Sequence, residues 1–361
     1  KVGDREILTV NAALGSKDIP IDEQWRTLPE VPEPADAPRR EWHVDDELSI
    51  MARFDMRLAL GTPWDRLDGS EPVPDGRSAL WVRMPDVDMS AAALAILGES
   101  IRSVRLLGAV CVAVTGSALD GLVRAAGGAP LVALSAGLAY VVLTPTLTGL
   151  ATNTEILFAP FVATALALAT RLTVRALDHG AAPRIRDLVP IGLLIGCGLV
   201  IKQVVVFEGC FTFALAVLLP WLRGVLAWRR VAVMAAAYAG LCASPMLLLG
   251  GTYLLMGEFA TLWDALALAP LRYGFARLSV GLAAWVVTAE MLTLAAPLLL
   301  AVVATLRPPP EHRRLLVLGW TWFAVAALGV AAPGMFFRHY FLMLLPPLGL
   351  LAALGVWRLA A

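Results

Sequence analysis

The chain has 361 residues, 58% of them apolar, and its 29 basic and 29 acidic residues cancel to a formal net charge of zero. It contains no Walker loop and no GxGxxG that follows a strand and opens a helix, so neither a nucleotide nor a nucleic acid is an expected partner. The zero is an average of two unlike parts: residues 1–101 hold 20 of the acidic and 11 of the basic residues, about −9, and residues 102–361 carry the balancing +9.

Residues 1–101 read as a small soluble α+β segment. Residues 7–13 read as a strand. A stretch of about 14–45, rich in Pro, Asp and Glu, reads as an extended linker. Arg53-Phe-Asp-Met-Arg-Leu and Arg77-Ser-Ala-Leu-Trp-Val-Arg-Met alternate polar and apolar residues like half-buried strands. A helix is expected from Asp88-Met-Ser through Ala91-Ala-Ala-Leu-Ala-Ile-Leu, capped by Asp88 or Ser90. The start at Lys1-Val-Gly-Asp-Arg-Glu has no apolar signal-peptide core, and a chain opening on Lys reads as a fragment or processed product.

Four pieces of this segment carry a resemblance: Arg5-Glu-Ile-Leu-Thr-Val-Asn-Ala, Arg53-Phe-Asp-Met-Arg, Gly76-Arg-Ser-Ala-Leu-Trp-Val-Arg-Met, and the helix ending Ile96-Leu-Gly-Glu99-Ser. Together they resemble the middle of a double hotdog acyl-CoA thioesterase. The resemblance implies an acyl-CoA partner and makes Glu99 the counterpart of the acidic residue, usually Asp, that orients the attacking water. The remainder of the second hotdog should follow Ser100, where the chain instead becomes apolar. The bland reading of Glu99 is an ordinary helix-terminal carboxylate.

From residue 102 the chain consists of apolar runs long enough to cross a bilayer, the signature of a mainly α, polytopic membrane domain with about 8–9 membrane helices. Candidate spans fall at 105–125, 129–150, 156–174, 188–201, 204–222, 231–251, 281–306, 315–333 and 339–358. The fourth and fifth form one apolar run interrupted by Lys202, Gln203 and Glu208, which reads as two half-length helices meeting at a polar turn. With the 151–155 loop placed outside, 12 arginines from Arg124 to Arg358 fall in inside connections. Six basic residues fall outside: Arg102, Arg105, Lys202, Arg272, Arg277 and Arg338.

The outer side then collects the polar groups. Ala151-Thr152-Asn153-Thr154-Glu155 has an amide and a carboxylate, Lys202 is the only lysine after Lys17, and Asp264, Arg272, Tyr273 and Arg277 lie in the longest outer connection. Arg338-His339-Tyr340 opens the last helix. Charges at membrane depth are costly and usually pair or line a functional cavity, whereas arginines at helix ends also snorkel to lipid phosphates. Cations with one carboxylate suit a lipid-linked phosphate. Cys111, Cys197, Cys210 and Cys242 lie in predicted helices without a CxxC or a neighbouring His and read as small core residues.

The stretch Arg105–Arg175 with its Thr-Asn-Thr-Glu-Ile-Leu loop, Gly-Leu-Val-Ile-Lys202-Gln, and Arg338-His-Tyr-Phe-Leu-Met-Leu-Leu-Pro-Pro resemble the polytopic glycosyltransferases that use polyprenyl-phosphate sugars, the GT-C superfamily of dolichyl-phosphate-mannose protein mannosyltransferases and aminoarabinose transferases. This distributed resemblance covers about 255 residues. It implies an integral plasma (inner) membrane protein with its site on the outer face, a polyprenyl-phosphate sugar donor, and surrounding membrane lipid. Glu155 becomes a catalytic residue and the ligand of a divalent metal ion, while Lys202, Arg338, His339, Tyr340 and Asn153 become substrate-binding residues. The family's first helix and large first outer loop have no counterpart, since the resemblance begins at about Ser103. Two partial families meeting near residue 102 are what a fusion of two incomplete genes yields. Three functions stay open on the sequence: glycosyl transfer, acyl-CoA hydrolysis by residues 1–101, and transport.

Overall fold

Alternation in the N-terminal segment becomes an antiparallel strand pair, β1 (Asp55–Leu60) with β2 (Ala79–Arg83). The register sets Asp55 opposite Arg83 and Leu58 opposite Leu80, and shifts by one residue before the Leu60–Ala79 pair, as a bulge does. Leu58 is buried, and its N–H donates to the Pro38 carbonyl at 2.9 Å. This is a computed structural model that describes residues 32, 36–38, 55–60, 79–83, 101–147, 149, 152–268 and 279–360. Both central strands expected from alternation are therefore present. The expected strand at 7–13 and the helix bearing Glu99 lie outside the described residues, as do Arg272, Tyr273 and Arg277. The chain divides into two compact units, Lys1–Ser103 and Val104–Ala361.

Among its described residues the second unit consists of helices and the loops that join them, with no strand. In chain order it comprises α1 (Ile101–Ala125), α2 (Pro130–Leu143) with a 3₁₀ turn at Thr144–Leu147, and α3 (Thr154–His179). Next come α4 (Ile185–Ile201), α5 (Val205–Leu222), α6 (Trp228–Leu255) and the short α7 (Phe259–Leu268). It closes with α8 (Val280–Thr293), α9 (Ala295–Thr305), α10 (Arg313–Ala331), a 3₁₀ segment at Arg338–Leu344, and α11 (Leu345–Ala360). Each of the nine apolar runs falls on helix. Length and apolarity give seven membrane-crossing helices among the described residues, or eight if α8 and α9 form one broken span, against the eight to nine expected. The shortfall is α4, whose 17 residues rise about 26 Å, just under a hydrocarbon core of about 30 Å.

Two of the expected runs differ in shape. The run 281–306 is broken: α8 and α9 meet at Leu294 with a bend of 75°. Pro297 lies in the first turn of α9, where its missing N–H removes the bond that would have continued α8. The pair at 188–222 is not half-length, because α5 is itself an 18-residue span. It is a helical hairpin whose arms touch closely: Val205 packs on Gly198, and Ile195 on Gly209. A π-helical turn at Ala214–Leu218 lies within the second arm, where Thr173 of α3 donates to the Leu215 carbonyl at 2.6 Å.

The last helix is the axis of the bundle. In the span Arg338–Ala360, 83% of the apolar window is buried inside the protein, against 11% for α6, whose Leu247, Leu248 and Leu255 stand exposed. Apolar exposure on that scale over a full-length helix is what lipid-facing helices show, and the unit reads as a multi-pass membrane domain. α11 packs against α2, α9 and α10. Small residues allow the approach: a side chain at Gly355 would collide with the Leu300 carbonyl of α9, and one at Gly349 would press on Tyr140 of α2.

Helix ends alternate between two ends of this bundle. One end gathers the start of α3, the α4–α5 tip and the Arg338–Leu344 turn. The other holds Asp178 bidentate to Arg314 at 2.7 Å, and Arg358 donating to the Leu306 carbonyl at 3.4 Å.

Candidate functional site

Glu155 occupies the first turn of α3, where unpaired backbone N–H groups and the helix dipole favour a carboxylate. Asn153 is the residue before the helix; its carbonyl accepts from the N–H groups of Ile156 and Leu157 at 2.9 and 3.3 Å, and its side chain makes no capping bond. Thr154 donates its hydroxyl to Glu155 Oε2 at 3.2 Å. The loop leading in is held in an uncommon conformation. Thr152 has φ 52°, a left-handed value that a β-branched residue rarely adopts, and its hydroxyl donates to the Val104 carbonyl at 3.2 Å.

Lys202 is the hinge of the α4–α5 hairpin. Its backbone is extended, its N–H donates to Gly198 at 2.9 Å, and its carbonyl accepts from Val205 at 3.2 Å, so it belongs to both arms. From that tip the ammonium Nζ donates to Glu155 Oε1, forming an ion pair in which the Glu155 side chain is fully buried and that of Lys202 is 17% exposed. The same Nζ stands 3.7 Å from the centroid of the Tyr340 ring, a cation–π contact. Tyr340 in turn abuts the His339 ring edge-on at 4.8 Å, and Phe337 stacks on His339 at 5.7 Å. Phe336, at φ 47°, turns the chain into this aromatic group.

Three elements distant in sequence thus converge on Lys202. Of the expected site residues, Glu155, Lys202 and Tyr340 are in direct contact and His339 lies against Tyr340. Arg338 is anchored elsewhere on the same turn: Nη2 donates to the Thr146 carbonyl at 3.3 Å, and Nε stands 3.5 Å from Glu290 Oε2 in an ion pair. Glu99 lies outside the described residues.

Both carboxylate oxygens of Glu155 are engaged by neighbouring donors. One of its oxygens receives the Lys202 ammonium and the other the Thr154 hydroxyl, and among the described residues no three His, Cys, Asp or Glu side chains stand together. The charge opposite Glu155 is already supplied by Lys202.

Sequence reasoning did not pair Glu290 with Arg338, nor foresee that Glu208 is buried on α5 with its Oε1 accepting the Trp322 indole N–H at 2.9 Å. In each case the partners are far apart in the chain, and no spacing pattern links them. A carboxylate inside an apolar run was the only signal, and it asked for a donor without naming one.

No protein-family model, curated protein or solved structure matches this chain.

Proposed function

We propose that the membrane unit is the core of a polyprenyl-phosphate-dependent glycosyltransferase, acting at the end of the bundle where Lys202 meets Glu155 and Tyr340. That one constellation carries the reading. It sets a lysine, a buried carboxylate and an aromatic cluster at the polar end of long apolar helices, where a lipid-linked phosphate would lie with its tail in the bilayer.

In this reaction an acceptor hydroxyl attacks the anomeric carbon. The bond from that carbon to the phosphate oxygen breaks, and polyprenyl phosphate leaves with the bonding electrons. Lys202 has three N–H donors, one committed to Glu155, so it meets a phosphate oxygen while still paired. Its charge stabilises the phosphate as negative charge builds on the departing oxygen. Glu155 fixes the direction of the ammonium and so helps position the acceptor, whose hydroxyl proton passes to water as the new bond forms. Tyr340 and His339 present an aromatic face beside the phosphate. Asn153, beside Glu155, would hydrogen-bond sugar or acceptor hydroxyls. The excess of arginine at the opposite end of the bundle supports a site on the outer face of the plasma (inner) membrane.

The test uses the full chain in nanodiscs with a labelled polyprenyl-phosphate sugar. Lys202→Ala is expected to abolish release of polyprenyl phosphate while the protein still inserts; full turnover in that variant sinks the assignment. Acyl-CoA hydrolysis by residues 1–101 and transport rest on sequence alone, and an acyl-thioester assay and a flux assay on the same preparation address them separately.

A further inference from the structure

The Arg338 guanidinium is held along one edge only. Its Nη2 donates to the Thr146 carbonyl at 3.3 Å, and its Nε faces Glu290 Oε2 at 3.5 Å. Among the described residues nothing accepts from Nη1, and the side chain remains 51% exposed. Glu290 is the opposite case: its side chain is 12% exposed, it lies within apolar α8, and its Oε2 has no hydrogen bond, only the ion pair. A carboxylate in that setting has no reason to be stable unless a cation stays beside it. A guanidinium fixed along one edge offers the other as a preformed fork for two oxygens of an anion.

We infer that Arg338 is an oxyanion site for a phosphate group and that Glu290, with the Thr146 carbonyl, is its positioning residue. The inference rests on the phosphate-donor reading above and adds a second cation to it, on the same turn as Tyr340. Glu290 touches neither donor nor acceptor. It acts by keeping Nε and Nη2 engaged, so that Nη1 and the outer proton of Nη2 remain for phosphate oxygens. The carboxylate also keeps the arginine from turning outward to lipid headgroups, the alternative that an arginine at a helix end otherwise takes.

The experiment follows modification of Arg338 by phenylglyoxal in the full-length protein in nanodiscs, mapped by peptide mass spectrometry. Inorganic phosphate and polyprenyl monophosphate serve as protecting probes. Glu290→Ala is expected to raise the unprotected modification rate, because the clamp is gone. It is also expected to weaken phosphate protection by about fivefold, the upper scale for an ion pair with one exposed partner. Glu290→Gln keeps an oxygen acceptor and is expected to fall between, and it serves as the working variant if Glu290→Ala does not fold. Equal rates in wild type and both variants overturn the positioning role. Protection by neither probe in the wild type overturns the oxyanion site. Protection by inorganic phosphate but not by polyprenyl phosphate upholds this inference and removes the donor proposed above.

Discussion

Lys202 and Glu155 stand 47 positions apart in the chain, yet they form an ion pair in which the carboxylate is wholly buried. The pair ties the tip of a helical hairpin to the first turn of the preceding helix. It is also the point on which the proposed chemistry turns.

Because the Glu155 side chain is out of solvent, removing its partner strands a charge. Lys202→Met is expected to destabilise the membrane unit by about 3–5 kcal/mol, and Lys202→Met with Glu155→Gln by clearly less, since the double change leaves no unpaired charge. Thermal unfolding in one detergent, run on both variants and the parent, checks this; equal losses would mean that the pair is not buried in the working state.

Tyr340 contributes through its ring face, on which Lys202 Nζ sits at 3.7 Å. Tyr340→Phe retains that face and is expected to retain donor affinity. Tyr340→Leu removes it and should cost about 0.5–2 kcal/mol in the binding of polyprenyl phosphate. Binding titrations of the two variants separate the ring from the hydroxyl, and a larger loss in the Phe variant would assign the role to the hydroxyl.

Glu208 receives one neutral donor, the Trp322 indole N–H at 2.9 Å. Trp322→Phe keeps most of the volume and removes the donor, so a loss of about 1–3 kcal/mol is expected from the unsatisfied acceptor. Combining it with Glu208→Leu should recover part of that loss. No recovery in a two-variant thermal-melt cycle would show that the cost comes from packing instead.

Helix contacts give a prediction that needs no ligand. A Cβ at Gly355 would collide with the Leu300 carbonyl, whereas one at Gly251 on the exposed α6 meets nothing within 4 Å. Gly355→Val should separate α9 from α11 and lower the melting temperature sharply. Gly251→Ala should raise stability by about 0.5–1 kcal/mol through chain entropy. If the two changes had similar effects, the close packing of α11 would be refuted.

The site was partly legible in the sequence. Lys202 and Glu155 stand out there because each is a charge in an apolar neighbourhood, and burial of a lone charge demands a partner. Their contact with each other was not legible, because it depends on the hairpin bringing residue 202 back to the start of α3. Arg338 was visible as a cation opening the last helix, but its partner Glu290 lies across a bend that the apolar run 281–306 conceals. Pro297 was the available hint at that bend. It was a weak one, because Pro160, Pro190 and Pro245 sit inside helices that continue.

By itself the sequence determined that residues 102–361 form membrane-length helices. The free energy of burying apolar side chains and of satisfying backbone groups in lipid is local and depends on run length. It determined the alternation of β1 and β2 for the same kind of reason, since a two-residue period acts over a few positions. Only the tertiary structure decided which helix is central, where α8 breaks from α9, and which carboxylate answers which cation. Those outcomes depend on glycine-sized approaches between helices and on partners 47 to 192 residues apart, and such distances are set when the bundle packs.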